Sequence, residues 1–182
     1  MKIEATSLPG VMRIQANVFG DDRGAFIETW NERDFAAAGI DAAFVQDNLS
    51  LSKQHTLRGL HYQVQQAQGK LIRVVDGEVF DVAVDLRRSS PTFGQPLGLH
   101  LDAESGEALW IPPGFAHGFL VLSETAAFAY KCTDYYAPEH ERAIRWDDPD
   151  LGIDWPLPAG ATPLLSAKDA DAASFRDADT YS

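Results

Sequence analysis

Two histidines in strand-like segments are the side chains best suited to acid–base chemistry. His61 lies in residues 57–63, and His117 follows the rigid Pro-Pro-Gly turn at residues 112–114. Both are predicted near strand starts, so they can converge at one mouth of a β-barrel. A lone histidine is more often structural, but Lys70 follows His61 closely and stands just before another strand. Because an imidazole that holds no metal acts as a base near neutral pH, this cluster indicates proton transfer.

Tyr130 and Asp169 each allow two interpretations. Tyr130 shares a strand face with Phe128 and Cys132, which favours a packed aromatic; the alternative is a phenol that acts as a proton donor. Asp169 stands three residues after Ser166, which is the spacing of a helix capping box, and a carboxylate there also suits the helix dipole. The alternative is a carboxylate that orients an imidazole. Asp81 competes for that second role.

Strand alternation also assigns faces to two polar stretches. One face of residues 46–52 carries Gln46, Asn48, Ser50 and Ser52. The pattern alone favours an exposed polar face, and the alternative is a barrel interior left polar to hold a small ligand. In residues 57–63 the same rule groups His61 with Gly59 and Gln63, and it puts Arg58 on the opposite face with Leu60 and Tyr62.

The histidines also raise the question of a metal. A metal cage in a β-barrel usually needs three or four His or Glu ligands. The position two residues after His61 is Gln63, and no Glu follows within the next several residues. We therefore expect no metal and no cofactor.

Short alternating segments separated by Gly, Pro, Asn and Asp must position these side chains. They fill residues 11–146 and predict an all-β sandwich or barrel core in a single domain that spans residues 1–182. Asp76-Gly77, between two β-branched runs, predicts a hairpin. Short helices are predicted at residues 31–39 and from Ser166, and residues 147–163 are predicted as a loop that wraps the barrel, within a C-terminal part at residues 147–182.

Composition excludes several classes of function. The chain has 182 residues, a formal net charge of −12 and one cysteine, Cys132. The negative charge argues against nucleic-acid binding, although a pocket can still gather a few cations around a small anion. No apolar run approaches the roughly 20 residues of a membrane helix, and the first residues lack the apolar core of a signal peptide. We therefore expect a cytoplasmic protein with no membrane or nucleic-acid partner.

Several short motifs, in this order and spacing, resemble the dTDP-4-dehydrorhamnose 3,5-epimerase family. They are Asp22-Arg23-Gly24 with Phe26 and Glu28, Gln46-Asp47-Asn48, residues 58–63, Gly69-Lys70, Asp81, residues 113–119, Tyr130-Lys131 and residues 166–169. Each motif is weak alone, but together they cover nearly the whole chain. Pro113 stands where many members carry Glu. The resemblance implies a cupin-type jelly roll with a few short helices and a metal-free isomerase.

The resemblance also implies a role for each matching residue. His61 corresponds to the general base, Asp169 to its carboxylate partner, Tyr130 to the general acid and Lys70 to the group that stabilises the enolate. The implied substrate contacts are His117 near the sugar and, for the nucleotide part, Arg23, Phe26, Glu28, Gln46, Asn48, Arg58, Glu141 and Lys168. The family is a homodimer in which residues near the N-terminus of one chain complete the site of the other, so Arg23 and Glu28 would act in trans.

The implied reaction inverts C3 and C5 of dTDP-4-keto-6-deoxyglucose, in dTDP-L-rhamnose biosynthesis for lipopolysaccharide or another cell-wall polysaccharide. One alternative from another class is a metal-dependent cupin dioxygenase, which a metal assay would test. Two further alternatives stay open. One is a relative that inverts only C5 or only C3 in another deoxysugar pathway. The other is a sugar-nucleotide binding module without catalysis, which would show no solvent exchange into the substrate.

Overall fold

The computed structural model describes residues 1–182, and most of its regular structure is β-strand. The strands are β1 (Lys2–Ala5), β2 (Met12–Gln15), β3 (Val18–Asp21), β4 (Gly24–Ile27), β5 (Gln46–Lys53), β6 (Leu57–Gln63), β7 (Lys70–Asp76), β8 (Glu78–Asp85), β9 (Pro96–Asp102), β10 (Glu107–Ile111), β11 (Phe115–Val121), β12 (Thr125–Cys132) and β13 (Glu141–Ala143). The helices are α1 (Glu32–Ala37) and α2 (Ala167–Ala170), with single 3₁₀ turns at Pro138–His140 and Phe175–Asp177.

Two antiparallel sheets form a sandwich. The six-stranded sheet has the order β1-β2-β10-β7-β12-β5, the five-stranded sheet has the order β13-β6-β11-β8-β9, and β3 and β4 form a separate hairpin. The core between the sheets takes Ile72 and Phe128 from the first sheet and Val79 and Phe119 from the second. This arrangement confirms the predicted all-β jelly-roll class.

Asp76-Gly77 does not form the predicted hairpin. β7 pairs with β10 and β12, whereas β8 pairs with β11 and β9, so the two strands belong to different sheets. Gly77 has a φ of +79°, and a Cβ there would lie 2.2 Å from the carbonyl oxygen of Thr125. Asp76-Gly77 therefore forms a tight turn that requires glycine, as expected. The turn, however, connects a strand of one sheet to a strand of the other.

The polar face of β5 points inward, so the favoured expectation of an exposed polar face is wrong. Gln46, Asn48 and Ser50 are half-buried and Ser52 is buried, whereas Leu49 on the opposite face is 62% exposed. β5 is the edge strand of the six-stranded sheet, and its inner side borders a cavity. A strand whose inner face meets a ligand cavity keeps polar side chains there.

β6 does not keep a strict alternation, and this changes the place of Arg58. His117 pairs with His61 and Phe119 with Arg58, so β6 has one residue more than β11 between the two pairs. Such a bulge re-aims the side chains that follow it. Gly59, inside the bulge, has a φ of +106°, and a Cβ there would lie 2.5 Å from the carbonyl oxygen of His117. Arg58 and His61 consequently line the same cavity, and the prediction of opposite faces is wrong.

The predicted helices and the wrapping loop are present. α1 is capped by Asn31 and α2 by Ser166, each through its side chain. Residues 147–163 contain no helix or strand, and they bury Leu151 and Trp155 against the outer side of the five-stranded sheet. No helix of the structure has the length and apolarity that a membrane span requires.

Candidate active site

One cavity between the two sheets gathers most of the predicted site residues. It encloses about 250 Å³, and its lining includes Arg58, His61, Lys70, His117, Tyr130, Glu141 and Asp169. Pockets that enclose a whole drug-sized ligand measure roughly 300–1,000 Å³. The cavity therefore suits a sugar ring, and the rest of a nucleotide sugar would lie at its mouth.

His61 and Asp169 form a close pair at this cavity. Nε2 of His61 lies 2.5 Å from Oδ1 of Asp169, and Nδ1 makes no hydrogen bond within the chain. Burial opposes ionisation of Asp169, but the hydrogen bonds from His61, Ser166 and the backbone of Gly59 outweigh it and lower the pKa of the carboxyl group. Asp169 is thus an anion that orients the imidazole and leaves Nδ1 as the nitrogen able to take a proton.

Asp81 is not the partner of His61. Its Oδ2 lies 2.7 Å from Nε2 of His117, and its Oδ1 is buried without a hydrogen-bond partner. The ring of His117 stacks on Phe128 with 6.0 Å between centroids. Asp169 is therefore the partner of His61, and Asp81 is the partner of His117.

Lys70 and Tyr130 reach the cavity from the sheet that faces His61. Burial lowers the pKa of Lys70, and the charges of Cys132, Glu141 and Asp81 oppose that shift. Burial raises the pKa of Tyr130, which keeps the phenol protonated. His61 on β6 thus stands across the cavity from Lys70 on β7 and Tyr130 on β12.

Glu141 connects the cavity to its rim. Its Oε2 accepts a hydrogen bond of 2.6 Å from the hydroxyl of Tyr136 and forms an ion pair with Lys168. Burial opposes ionisation of Glu141, but the contacts with Lys168 and Tyr136 outweigh it and lower its pKa. The same hydrogen bond raises the pKa of Tyr136 to about 12. Lys168 therefore sits beside the cavity through Glu141 and does not line it.

Gln46 and Asn48 also lie beside the cavity and not in its lining. Oε1 of Gln46 accepts a hydrogen bond of 2.9 Å from the backbone N–H of Tyr136, and its Nε2 donates to Oδ1 of Asn48 at 3.0 Å. Nδ2 of Asn48 lies 3.6 Å from Sγ of Cys132. Both side chains thus hold parts of the cavity wall.

Three predicted residues lie away from the cavity of their own chain. Arg23 pairs with Asp21 in the β3–β4 hairpin, Phe26 is 69% exposed, and Glu28 accepts a hydrogen bond of 3.1 Å from Asn31. Within one chain none of them lines the site.

Sequence reasoning missed several residues of the site. Tyr136, Gln68 and Phe119 line the cavity, and Ser166, expected only as a helix cap, lines it too. Tyr136 follows Tyr130 by six residues, and an adjacent aromatic pair in a loop just after a site strand was the available signal. No group of three or more His, Cys, Asp or Glu side chains is arranged to hold a metal ion.

A β-sandwich with a histidine–aspartate pair, a lysine and a tyrosine around a sugar-sized cavity defines a cupin-like proton-transfer enzyme. Residues 5–177 match the sequence profile of dTDP-4-dehydrorhamnose 3,5-epimerase. The dTDP-4-dehydrorhamnose 3,5-epimerase of Pseudomonas aeruginosa is 58% identical over 182 residues, with 100% of this chain and 99% of the relative covered. The chain therefore belongs to the dTDP-4-dehydrorhamnose 3,5-epimerase family, whose members are isomerases.

Solved structures agree with this assignment. A dTDP-6-deoxy-D-glucose-3,5-epimerase from Legionella pneumophila, in complex with dTDP-4-keto-L-rhamnose, superposes with a TM-score of 0.94 at 52% identity, covering 98% of this chain and 94% of that one. A 3'-monoepimerase from Streptomyces bikiniensis, in complex with dTDP-quinovose, gives a TM-score of 0.88 at 35% identity, covering 94% and 86%. The same fold thus also occurs in an epimerase whose name specifies inversion at a single carbon.

Proposed function

We propose that this chain, as one epimerase domain over residues 1–182, converts dTDP-4-dehydro-6-deoxy-D-glucose to dTDP-4-dehydro-L-rhamnose by inverting C3 and C5. The observation that carries the proposal is the His61–Asp169 pair across one cavity from Lys70 and Tyr130, in a member of this family. The reaction belongs to dTDP-L-rhamnose biosynthesis. We place it in the cytoplasm and assign the product to lipopolysaccharide or another cell-wall polysaccharide.

The chemistry begins with proton removal beside a carbonyl group. The 4-keto group acidifies the hydrogens on C3 and C5, and His61 takes one of them as a proton. The electron pair of the C–H bond forms the enolate double bond, and negative charge develops on the keto oxygen. A positioned base of this kind typically contributes about 10²–10⁴ in rate. Asp169 stabilises the imidazolium that results.

Lys70 and Tyr130 complete the inversion from the opposite sheet. The ammonium of Lys70 stabilises the charge on the keto oxygen. This electrostatic attraction is stronger in a closed cavity than in water. Tyr130 then donates its hydroxyl proton to the carbon from the face opposite His61, and the centre is inverted. Before the second inversion the proton must leave His61 and Tyr130 must regain one. The side chain of His61 is 28% exposed, which allows that exchange with solvent.

We also propose a homodimer in which each chain completes the site of the other. The β3–β4 hairpin exposes Phe19 and Phe26 to solvent, and the outer face of β5 exposes Leu49 and Leu51. Large exposed apolar patches are typical of protein interfaces. Arg23 of a second chain would bring a guanidinium to the mouth of the cavity, where the diphosphate lies, and Phe26 an aromatic ring.

Mixing two inactive variants tests the shared site. In His61→Ala the base is lost, and in Arg23→Ala the proposed trans contact is lost. A dimer with one chain of each type has one site with both residues intact if Arg23 acts in trans, so re-associated mixtures should regain about a quarter of the wild-type activity. No recovery in mixtures shown to contain such dimers would contradict the contact of Arg23 in trans.

Solvent exchange tests the reaction itself. Proton NMR of dTDP-4-keto-6-deoxyglucose incubated with the protein in D₂O and EDTA should show deuterium at both C3 and C5. Deuterium at one carbon would indicate a single-site epimerase, and activity abolished by EDTA and restored by a metal would contradict the reaction by side chains alone. No exchange at either carbon would leave a binding module and remove the catalytic roles.

A further inference from the structure

Ser166 contacts the carboxylate that orients the proposed base. Its hydroxyl donates to Oδ2 of Asp169 at 2.7 Å and accepts from the backbone N–H of Asp169 at 3.1 Å. Oδ1 of the same carboxylate faces Nε2 of His61 at 2.5 Å. Ser166, Asp169 and His61 therefore form one continuous chain of contacts at the cavity wall.

The protein contains a second copy of this capping arrangement without a histidine. Ser174 caps the 3₁₀ turn at Phe175–Asp177, its hydroxyl donates to Oδ2 of Asp177 at 2.6 Å, and it accepts from the N–H of Asp177 at 3.3 Å. Asp177 is exposed, whereas Asp169 is buried. The Ser-x-x-Asp spacing alone thus explains the cap, and only the copy at Ser166 adds a buried carboxylate with an imidazole on its other oxygen.

Partners on both oxygens hold the plane of the Asp169 carboxylate. The last torsion of an aspartate is broad, so hydrogen bonds and not rotamer preference hold the plane of the group. Without the serine hydroxyl, Oδ2 would lose its side-chain donor, and losing a hydrogen bond to a charged group is costly. The carboxylate would then turn toward other donors, and the imidazole would lose its fixed direction.

We propose that Ser166 is a positioning residue for the reaction, which holds the Asp169 carboxylate so that His61 is aimed at the substrate. The proposal rests on the proposed function, because it assigns His61 as the base. The hydroxyl of Ser166 orients the carboxylate as outer hydrogen bonds orient the ligands of a metal site. Losing such an outer hydrogen bond typically lowers activity or metal affinity about 10–100-fold.

Matched variants at the two capping serines separate positioning from capping. Ser166→Ala should lower kcat about tenfold with KM within about twofold, and Ser166→Thr, which keeps the hydroxyl, should restore most of the rate. Ser166→Gly keeps most of the capping preference and loses the hydroxyl, so its kcat should fall like that of the alanine variant. Ser174→Ala should leave kcat within about twofold of wild type. Thermal unfolding of each variant shows the folded fraction to which kcat is referred.

The proposal is overturned if kcat of the folded Ser166→Ala protein equals that of wild type, or if Ser166→Gly is as active as Ser166→Thr. It is also overturned if the loss appears in KM alone. Deuterium exchange by the wild-type protein distinguishes this failure from failure of the proposed function. If wild type shows no exchange, the function fails, whereas wild-type exchange with unchanged serine variants removes only the role of Ser166.

Discussion

Two histidine–aspartate pairs stand next to each other in this structure, and their surroundings differ. His61 and His117 are register partners on β6 and β11, and each presents Nε2 to a carboxylate, at 2.5 Å and 2.7 Å. Asp81 comes from β8, the other neighbour of β11, so that pair lies within one sheet. Asp169 comes from α2, so the pair of His61 joins the sheet to the C-terminal segment.

The pairs differ most in access and in how completely the carboxylate is bonded. The side chain of His61 is 28% exposed and that of His117 is 8% exposed. Asp169 has partners on both oxygens, whereas Oδ1 of Asp81 is buried without one. The same two residue types thus give a pair that can exchange a proton with ligand and solvent, and a more buried pair whose aspartate lies in the core and whose histidine forms part of the cavity wall.

The largest expected contrast is in stability. Asp81→Ala breaks a buried hydrogen-bonded pair and leaves Nε2 of His117 unpaired; removing one partner of a buried pair that contains a charge typically costs about 3–5 kcal/mol of unfolding free energy. Asp169→Ala removes a carboxylate at the cavity wall and should cost less, about 1.5–3 kcal/mol, the range for a hydrogen bond to a charged group. Urea denaturation of both variants measures the difference, and equal losses would contradict the division into a core pair and a site pair.

A smaller contrast is expected in the alkaline limb of the kcat–pH profile. Burial lowers the pKa of Lys70, and Asp81 is one of the charges that oppose this, with Cys132 and Glu141. Asp81→Asn removes one negative charge, so Lys70 should lose its proton at a lower pH. The alkaline limb of the profile should therefore shift to lower pH. Asp169→Asn should leave the limb in place although kcat falls. Profiles at saturating substrate measure both, and a limb that does not move in folded Asp81→Asn would contradict the coupling.

The sequence was sufficient to predict the sandwich class and both capped helices, because alternation and capping are local signals. The family resemblance, and not these patterns, supplied the roles of the two histidines, the lysine and the aspartate of the cavity lining. Prediction from the sequence failed where the structure depends on pairing between strands that are distant in the chain. Asp76-Gly77 has the residues of a hairpin turn, but the strands on either side pair elsewhere. The extra residue beside Gly59 reversed the expected face of Arg58. Residue types alone did not reveal which aspartate faces His61, since that depends on how α2 docks against β6.

Deuterium exchange in single histidine variants tests the division between the two pairs most directly. The measurement is the rate at which deuterium enters C3 and C5 of dTDP-4-keto-6-deoxyglucose in D₂O, at saturating substrate, for His61→Ala and His117→Gln. We expect His61→Ala to lower the exchange rate at both carbons by a factor of about 10² or more, while dTDP still binds. We expect folded His117→Gln to keep an exchange rate within about tenfold of wild type. Exchange that persists in His61→Ala, or that disappears in folded His117→Gln, would contradict the assignment of His61 and Asp169 as the proton-removing pair.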